Sequence, residues 1–200
     1  MNKGRVESFS DGVFAFAITL LVMGVQVPNL KSANDPELRA ALLHSISQLM
    51  PYLTSFATIG IIWLNHHSMF HSIERVEHTT LTLNLLLLLV VAFIPYPTAV
   101  LSRYGALPSS SFLYGVVLTM LGITYSLLWL HVVRRSLSSA HIDKRAARRK
   151  IWRNLAGTLI YPAAALIALR FPRVSVLIYF LVAVFYFIPS GRSAEAQDRS

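Results

Sequence analysis

The 200-residue chain contains no cysteine, and only 14% of its residues are charged. Without thiols it has no means of forming disulfides, thiolate nucleophiles or thiolate metal sites. Soluble domains carry about 25% charged residues, because their surfaces face water. With 54% hydrophobic residues and a mean hydropathy of +0.55, this chain has too few charges to cover such a surface. The composition therefore predicts an integral membrane protein.

Several functional motifs are also missing from the sequence. No Gly-x-Ser-x-Gly or His-Glu-x-x-His segment occurs, so we expect no enzyme activity and no cofactor. A secondary transporter would show inverted repeats and buried charges in several spans, whereas Asp11 is the only acid expected inside a span. A transporter, a proton or cation leak pathway and a non-conducting membrane scaffold stay open as alternatives to a channel.

Six apolar stretches approach the length of about 20 residues that a membrane-crossing helix needs. The predicted spans are Phe9–Val27, Leu49–Leu64, Leu81–Leu101, Phe112–Val132, Leu155–Leu169 and Val174–Ile188. They leave little chain for a separate soluble domain. The sequence thus predicts an all-α membrane protein with one six-helix unit over residues 1–190 and a short cytoplasmic tail over residues 191–200.

Basic residues are unevenly divided between the two sides of this arrangement. Most lie on the side that holds both termini; those on the other side are Lys31, Arg39, Arg103, Arg170 and Arg173. The positive-inside rule therefore places both termini in the cytoplasm. We expect the basic run from Arg134 to Arg153 to attract anionic lipids, at about 1 kcal/mol per residue. No nucleic-acid partner is expected, because a short tethered loop offers no folded reading head.

The first span carries Asp11, and an ionisable group at membrane depth marks a functional site because lipid solvates charge poorly. Projected at about 100° per residue, one narrow stripe of this span holds Gly12, Phe16, Leu20, Met23 and Val27. Thr19 borders the stripe, and Asp11 points away from it. Small residues beside the stripe favour close helix approach. The stripe is therefore predicted either to pack against neighbouring helices or to line a pore.

Ordered motifs in the first half of the chain resemble a known family. Arg5-x-x-x-Phe9-Ser10-Asp11 is similar to the Arg-x-x-x-Phe-Ser-Asp signature of the transmembrane-protein-175 potassium channels of lysosomes, in their single-repeat bacterial form. The likeness continues in Trp63-Leu64-Asn65-His66-His67, in Leu83-Asn84 and in Phe93-Ile94-Pro95-Tyr96-Pro97-Thr98. The second half of the chain is similar only in hydropathy and charge.

This resemblance implies a homotetramer in a bacterial plasma membrane, with K+ as the permeant ion. The first helices of the four subunits would line a central pore, without the carbonyl filter of ordinary potassium channels. The implied constriction is Phe16, Leu20 and Met23, with Thr19 as a nearby hydroxyl. Such an apolar constriction would gate by dewetting and give modest selectivity. The family's narrowest ring is usually Ile or Leu, so the aromatic Phe16 is a departure.

The resemblance also implies a supporting role for the end of the second span. Trp63, Asn65, His66 and His67 would pack against the segment that contains Arg5, Phe9, Ser10 and Asp11, and would hold the first helix in place. A contact between Asp11 and His67 would make conduction pH-sensitive. His67 and His71 have a spacing that suits a metal ion, but a catalytic site needs a third protein ligand and an open position, and no His-Glu-x-x-His pattern accompanies them. No metal site is therefore expected.

Overall fold

The computed structural model describes residues 2–30, 34–71, 73, 76–105, 107–136 and 159–187, and its regular elements in these ranges are helices. They are α1 (Lys3–Leu20), a 3₁₀ turn (Leu21–Gly24), α2 (Asp35–His71), α3 (His78–Phe93), α4 (Pro95–Tyr104), α5 (Pro108–Ser136), α6 (Leu159–Ala168) and α7 (Pro172–Phe187). The predicted all-α architecture is confirmed for this part of the chain. Most of the basic run from Arg134 to Arg153, and the tail over residues 191–200, lie outside the described residues.

Within the described residues, three helical stretches are long and apolar enough to cross a membrane: Lys3–Gly24, His78–Tyr104 and Pro108–Arg134. They correspond to the first, third and fourth predicted spans. The first span, predicted over Phe9–Val27, was placed too far toward the C-terminus, because the helix begins at Lys3, the α-helix ends at Leu20 and the backbone is extended at Val25. Val27 therefore lies beyond the helical stripe to which the projection assigned it. α6 and α7 are shorter apolar helices.

The second predicted span, Leu49–Leu64, lies within the much longer α2, which has 37 residues. α2 begins early because Asn34 caps it: the Asn34 side chain accepts a hydrogen bond from the Glu37 backbone N–H at 2.9 Å. An asparagine at this position satisfies one of the free N–H groups of the first turn. The helix therefore includes fourteen residues, 35–48, that hydropathy alone did not assign to it.

Prolines divide the third predicted span into α3 and α4. Pro95 and Pro97 have no backbone N–H, so the carbonyls of Val91 and Phe93 lose their usual α-helical donors. The Val91 carbonyl instead accepts a hydrogen bond from the Ile94 N–H, three residues later, at 3.2 Å. α3 and α4 still form one continuous apolar stretch of 27 residues. The prolines thus change the hydrogen bonding at the junction, but the helical stretch remains continuous.

Three buried hydroxyls join α2, α4 and α5. Ser55 Oγ lies 2.7 Å from Thr98 Oγ1 and 2.8 Å from the Tyr114 hydroxyl. Thr98 donates its only proton to the Ile94 carbonyl, at 2.7 Å. Because each hydroxyl has one proton, Tyr114 must donate to Ser55, and Ser55 must donate to Thr98. The hydroxyl chain thus runs in one direction and ends at the α3–α4 junction.

This direction predicts unequal effects for two substitutions. Ser55→Ala strands the buried Tyr114 hydroxyl and is expected to cost about 1–3 kcal/mol of stability, whereas Tyr114→Phe leaves Ser55 bonded to Thr98 and should cost about 1 kcal/mol. Thermal unfolding of the purified protein in detergent measures both. Thr82→Val is the control, because the exposed Thr82 donates only within its own helix. Equal losses for the two variants would contradict the assigned direction.

A candidate pore-lining helix and its support

α1 has one packed face. Its buried residues recur every three or four positions, as expected for one face of a helix, and each is at most 2% exposed; they are Val6, Ser10, Phe14, Ala17 and Leu21. This face lies against α2 and α3. The helix starts where the Asn2 side chain accepts from the Gly4 N–H at 3.0 Å. α1 is therefore anchored along its length by its own subunit.

The opposite face of α1 is open. Phe16 is 65% exposed and Met23 80% exposed within the subunit, and Leu20 is half-buried. Side chains three apart are eclipsed in a 3₁₀ helix, so the turn brings Met23 nearly in line with Leu20. Of the three predicted constriction residues, Phe16 and Met23 are thus exposed within the subunit, and Leu20 is partly covered.

Thr19 also lies on the exposed part of α1, and its hydroxyl proton is already engaged. Thr19 Oγ1 donates to the Phe16 carbonyl at 2.8 Å. The oxygen therefore keeps lone pairs that can accept or face a cation. Gly12, at the inner end of the same side, has nothing within 4 Å of the position where a side chain would begin. The open face is consequently largely apolar, with the Thr19 oxygen available and a notch at Gly12.

Asp11 is bound by α2. Trp63 Nε1 donates to Asp11 Oδ1 at 2.8 Å, and the His67 ring lies beside the Trp63 ring, with centroids 6.1 Å apart. In place of the expected contact with His67, Asp11 accepts a hydrogen bond from the Trp63 indole. His67 contacts Trp63 on the same helix. A half-buried carboxylate held in this way orients α1 relative to α2.

A second connection crosses three helices through buried groups. Ser10 Oγ donates to the Val6 carbonyl at 2.8 Å, and Asn84 Nδ2 donates to Ser10 Oγ at 2.9 Å. The Asn84 oxygen is 2.8 Å from His66 Nε2. Because this oxygen only accepts, His66 Nε2 carries the proton. The network links α2 to α1 through α3, and it gives the buried side chains of Ser10, Asn84 and His66 hydrogen-bond partners.

The His66 ring is held between two phenylalanines. Its centroid is 4.3 Å from that of Phe70, in a stacked arrangement, and 5.3 Å from that of Phe14. His66 is 1% exposed. Sequence reasoning placed His66 beside the signature but did not assign Asn84 a role. The available signal was an amide side chain within the leucine-rich run of α3.

Other predicted site residues lie outside these connections. The Asn65 side chain donates to the Ile61 carbonyl of its own helix at 2.8 Å, and Phe9 is 57% exposed. Arg5 is exposed in the first turns of α1. Nearby, Lys3 Nζ donates to the His71 carbonyl at 3.2 Å, which places the start of α1 beside the end of α2. Within the described ranges, no three His, Asp or Glu side chains are grouped to hold a metal ion.

Removing the Asn84 amide is expected to destabilise the subunit strongly. Asn84→Leu leaves the His66 N–H without its acceptor and Ser10 without its donor, at about 1–3 kcal/mol for a buried group that loses its only partner. The measurement is the thermal unfolding midpoint together with the size-exclusion profile. Ser68→Ala is the control, since the exposed Ser68 donates only to the Leu64 carbonyl. An unchanged midpoint for Asn84→Leu would contradict the role of the network.

Comparisons with known proteins show what the chain as a whole is similar to. A family model described as the endosomal/lysosomal potassium channel TMEM175 matches residues 5–95. A potassium channel of Streptomyces collinus is 37% identical over 93% of this chain and 92% of its own length. The crystal structure of a lysosomal potassium-selective channel TMEM175 homologue from Chamaesiphon minutus has a TM-score of 0.81 and 33% identity, covering 92% of this chain and 95% of that one.

A vertebrate relative carries a different functional name. The endosomal/lysosomal proton channel TMEM175 of Bos taurus is 30% identical over 93% of this chain, which spans 40% of that longer protein. The relatives thus include proteins named for potassium and proteins named for protons.

Proposed function

Because this chain belongs to the TMEM175 family of endosomal/lysosomal potassium channels, we propose that it is a potassium-channel subunit and that four copies enclose a pore with their first helices. The observation that carries the proposal is the division of α1. One face is packed and hydrogen-bonded into its own subunit, and the other presents Phe16 and Met23 exposed and Leu20 half-buried. Membership in a channel family also confirms that the chain is not an enzyme.

We propose six membrane spans in each subunit. α3 and α4 together count as one crossing because His78–Tyr104 is continuous and apolar, so the seven helices correspond to six spans. An even number of crossings puts both termini on one side, and the charge distribution assigns that side to the cytoplasm of a bacterial cell. The bond between Lys3 and the end of α2 is consistent with antiparallel first and second spans.

The proposed pore closes without a charged plug. Four apolar side chains that meet at one level expel water when the ring is narrow, and a cation that entered would lose hydration with nothing to replace it. When the ring widens, water returns and K+ passes with much of its hydration shell. The Thr19 oxygens supply replacement ligands at that level. Selectivity over Na+ should be modest, because these flexible groups do not form a rigid carbonyl cage.

The open face of α1 fits a subunit assembly better than a lipid boundary. Lipid contact gains nothing from a glycine notch or from an oxygen with free lone pairs, whereas close approach of neighbouring helices uses small residues such as Gly12. A groove beside Phe16 is closed on its other side by Ala92 of α3 and has an apolar lining. These features suit a second copy of the same chain.

Reconstitution tests this function directly. The purified full-length chain is placed in liposomes with a K+ gradient, and flux is followed with a dye while the oligomer is sized by mass photometry in detergent. We expect tetramers and K+ flux down the gradient in either direction, without proton coupling. Flux that saturates and requires a proton gradient would instead identify a transporter.

Proton conduction is the second candidate, because the Bos taurus relative is named as a proton channel. A second set of liposomes, made with the same protein and without K+, carries a pH-sensitive dye and an imposed pH gradient, and its proton flux is compared with the K+ flux of the first set. Rapid dissipation of this gradient together with absent K+ flux would favour a proton pathway. K+ flux with a slowly decaying pH gradient would favour the potassium channel.

A further inference from the structure

The outer end of the pore-lining helix rests on α4. The 3₁₀ turn Leu21–Gly24 packs along this helix. At Gly24 the approach is so close that an added methyl group would lie 3.0 Å from Ala99 Cβ and 3.2 Å from Ala99 Cα. Non-bonded carbons normally stay about 3.5–4.0 Å apart. Gly24 therefore allows the turn to touch the surface of α4, and any side chain at this position would separate the two.

α4 is fixed on both sides of Ala99. Thr98, the preceding residue, is the end point of the buried hydroxyl chain to α2 and α5. Three residues later, Ser102 Oγ donates to the Gln48 carbonyl of α2 at 3.0 Å. α4 thus has polar connections to α2 at both places. If the contact between Gly24 and Ala99 is widened, the 3₁₀ turn is the part that moves.

The direction of that movement follows from the geometry of the turn. Leu21 and Gly24 are three residues apart, so in a 3₁₀ helix they share the side that faces the bundle; Leu21 is 1% exposed. Met23 and Val22 lie on the remaining sides and are 80% and 54% exposed. A displacement of the turn away from α4 therefore carries Met23 outward from its own subunit.

We infer that Ala99 is a positioning residue for Met23, and that the contact between Ala99 and Gly24 sets the width of the outer constriction. This inference rests on the proposed pore. Outward movement of Met23 in every subunit brings the four side chains closer to the shared axis and narrows the pore. The width of the pore at Met23 thus depends on the distance between Gly24 and Ala99, as well as on the Met23 side chain itself.

Single-channel recording of the full-length protein in planar bilayers tests the inference. Gly24→Ala should lower K+ conductance, and Ala99→Gly should restore part of the loss in the double variant, because it removes the nearest carbon. Ala99→Gly alone should raise conductance, and it tests the inference even if Gly24→Ala does not assemble. Gly60→Ala is the matched control, since nothing lies within 4 Å of the added methyl group.

A chemical readout separates the positioning role from a general structural one. The chain has no cysteine, so Met23→Cys supplies a unique thiol that a cationic methanethiosulfonate can modify. In channels that carry this thiol, modification should block the current. In the Gly24→Ala background, the rate of modification should be lower. Absent modification of Met23→Cys would overturn the proposed pore itself. Blocking modification at the same rate in both backgrounds, with unchanged conductances for Gly24→Ala and Ala99→Gly, would overturn the positioning role alone.

Discussion

Phe16→Ala is expected to raise K+ flux through the reconstituted channel by about tenfold or more at rest. An apolar ring blocks ions by excluding water, so smaller side chains admit water and lower the barrier. A tenfold change requires only about 1.4 kcal/mol of barrier. Removing an aromatic ring from each subunit of the proposed tetramer takes away considerably more apolar surface than this change requires. Flux into dye-loaded liposomes and single-channel open probability both report the effect.

Phe185→Ala is the matched control for this experiment. Phe185 lies on α7 and is 71% exposed, so the same atoms are removed from an exposed aromatic on another helix. Its flux should equal that of the unmodified chain. If Phe16→Ala assembled normally and its flux matched that of Phe185→Ala, Phe16 would not belong to the barrier, and the assigned face of α1 would be wrong.

Gly115→Ala is expected to cause a large loss of stability, about 1–3 kcal/mol or more. Gly115 lies where α5, α6 and α7 converge. An added methyl group would overlap the Tyr179 hydroxyl and would lie 2.8 Å from Ala165 Cβ. Tyr179 cannot easily yield, because its hydroxyl donates to the Ser111 carbonyl at 3.2 Å and its ring is 1% exposed. The helices would have to separate.

The thermal unfolding midpoint in detergent measures this effect. One further variant serves as a control, and another tests for rescue. Gly60→Ala adds the same methyl group to α2 in open space and should leave the midpoint nearly unchanged. Tyr179→Phe in the Gly115→Ala background removes the overlapping hydroxyl and should recover part of the loss. A Gly115→Ala midpoint equal to that of Gly60→Ala would show that the three helices do not approach as closely as described.

The face of α1 could be predicted from sequence because helical periodicity determines which residues share a side. The projection failed at the C-terminal end of the span, where the α-helix gives way to a 3₁₀ turn over Leu21–Gly24 and the backbone is extended at Val25. Local backbone geometry of this kind depends on packing against α4, which no periodicity records. Val27 was assigned to the stripe for the same reason.

The supporting network shows a different limit of sequence reasoning. The motif that contains Trp63 and His66 was identified by resemblance, but the partners of these residues depend on how α2 and α3 pack. Asn84 is separated from His66 by 18 positions and from Ser10 by 74. Only the assembled helices reveal that these groups share one set of hydrogen bonds. The length of α2 was similarly missed because hydropathy identifies apolar residues, whereas a capped helix continues through polar ones.

The length of α2 also determines what can be reached from outside the cell. At about 1.5 Å per residue, its 37 residues extend about 55 Å, while the hydrocarbon layer is about 30 Å thick. Even a tilt of about 40°, near the upper end of what is seen in membrane proteins, leaves part of the helix in water. The proposed orientation puts the turns after Asp35 on the extracellular side. An antibody fragment raised against residues 35–47 would therefore have a helical epitope outside the membrane, and it would add a rigid mass for particle alignment in electron microscopy.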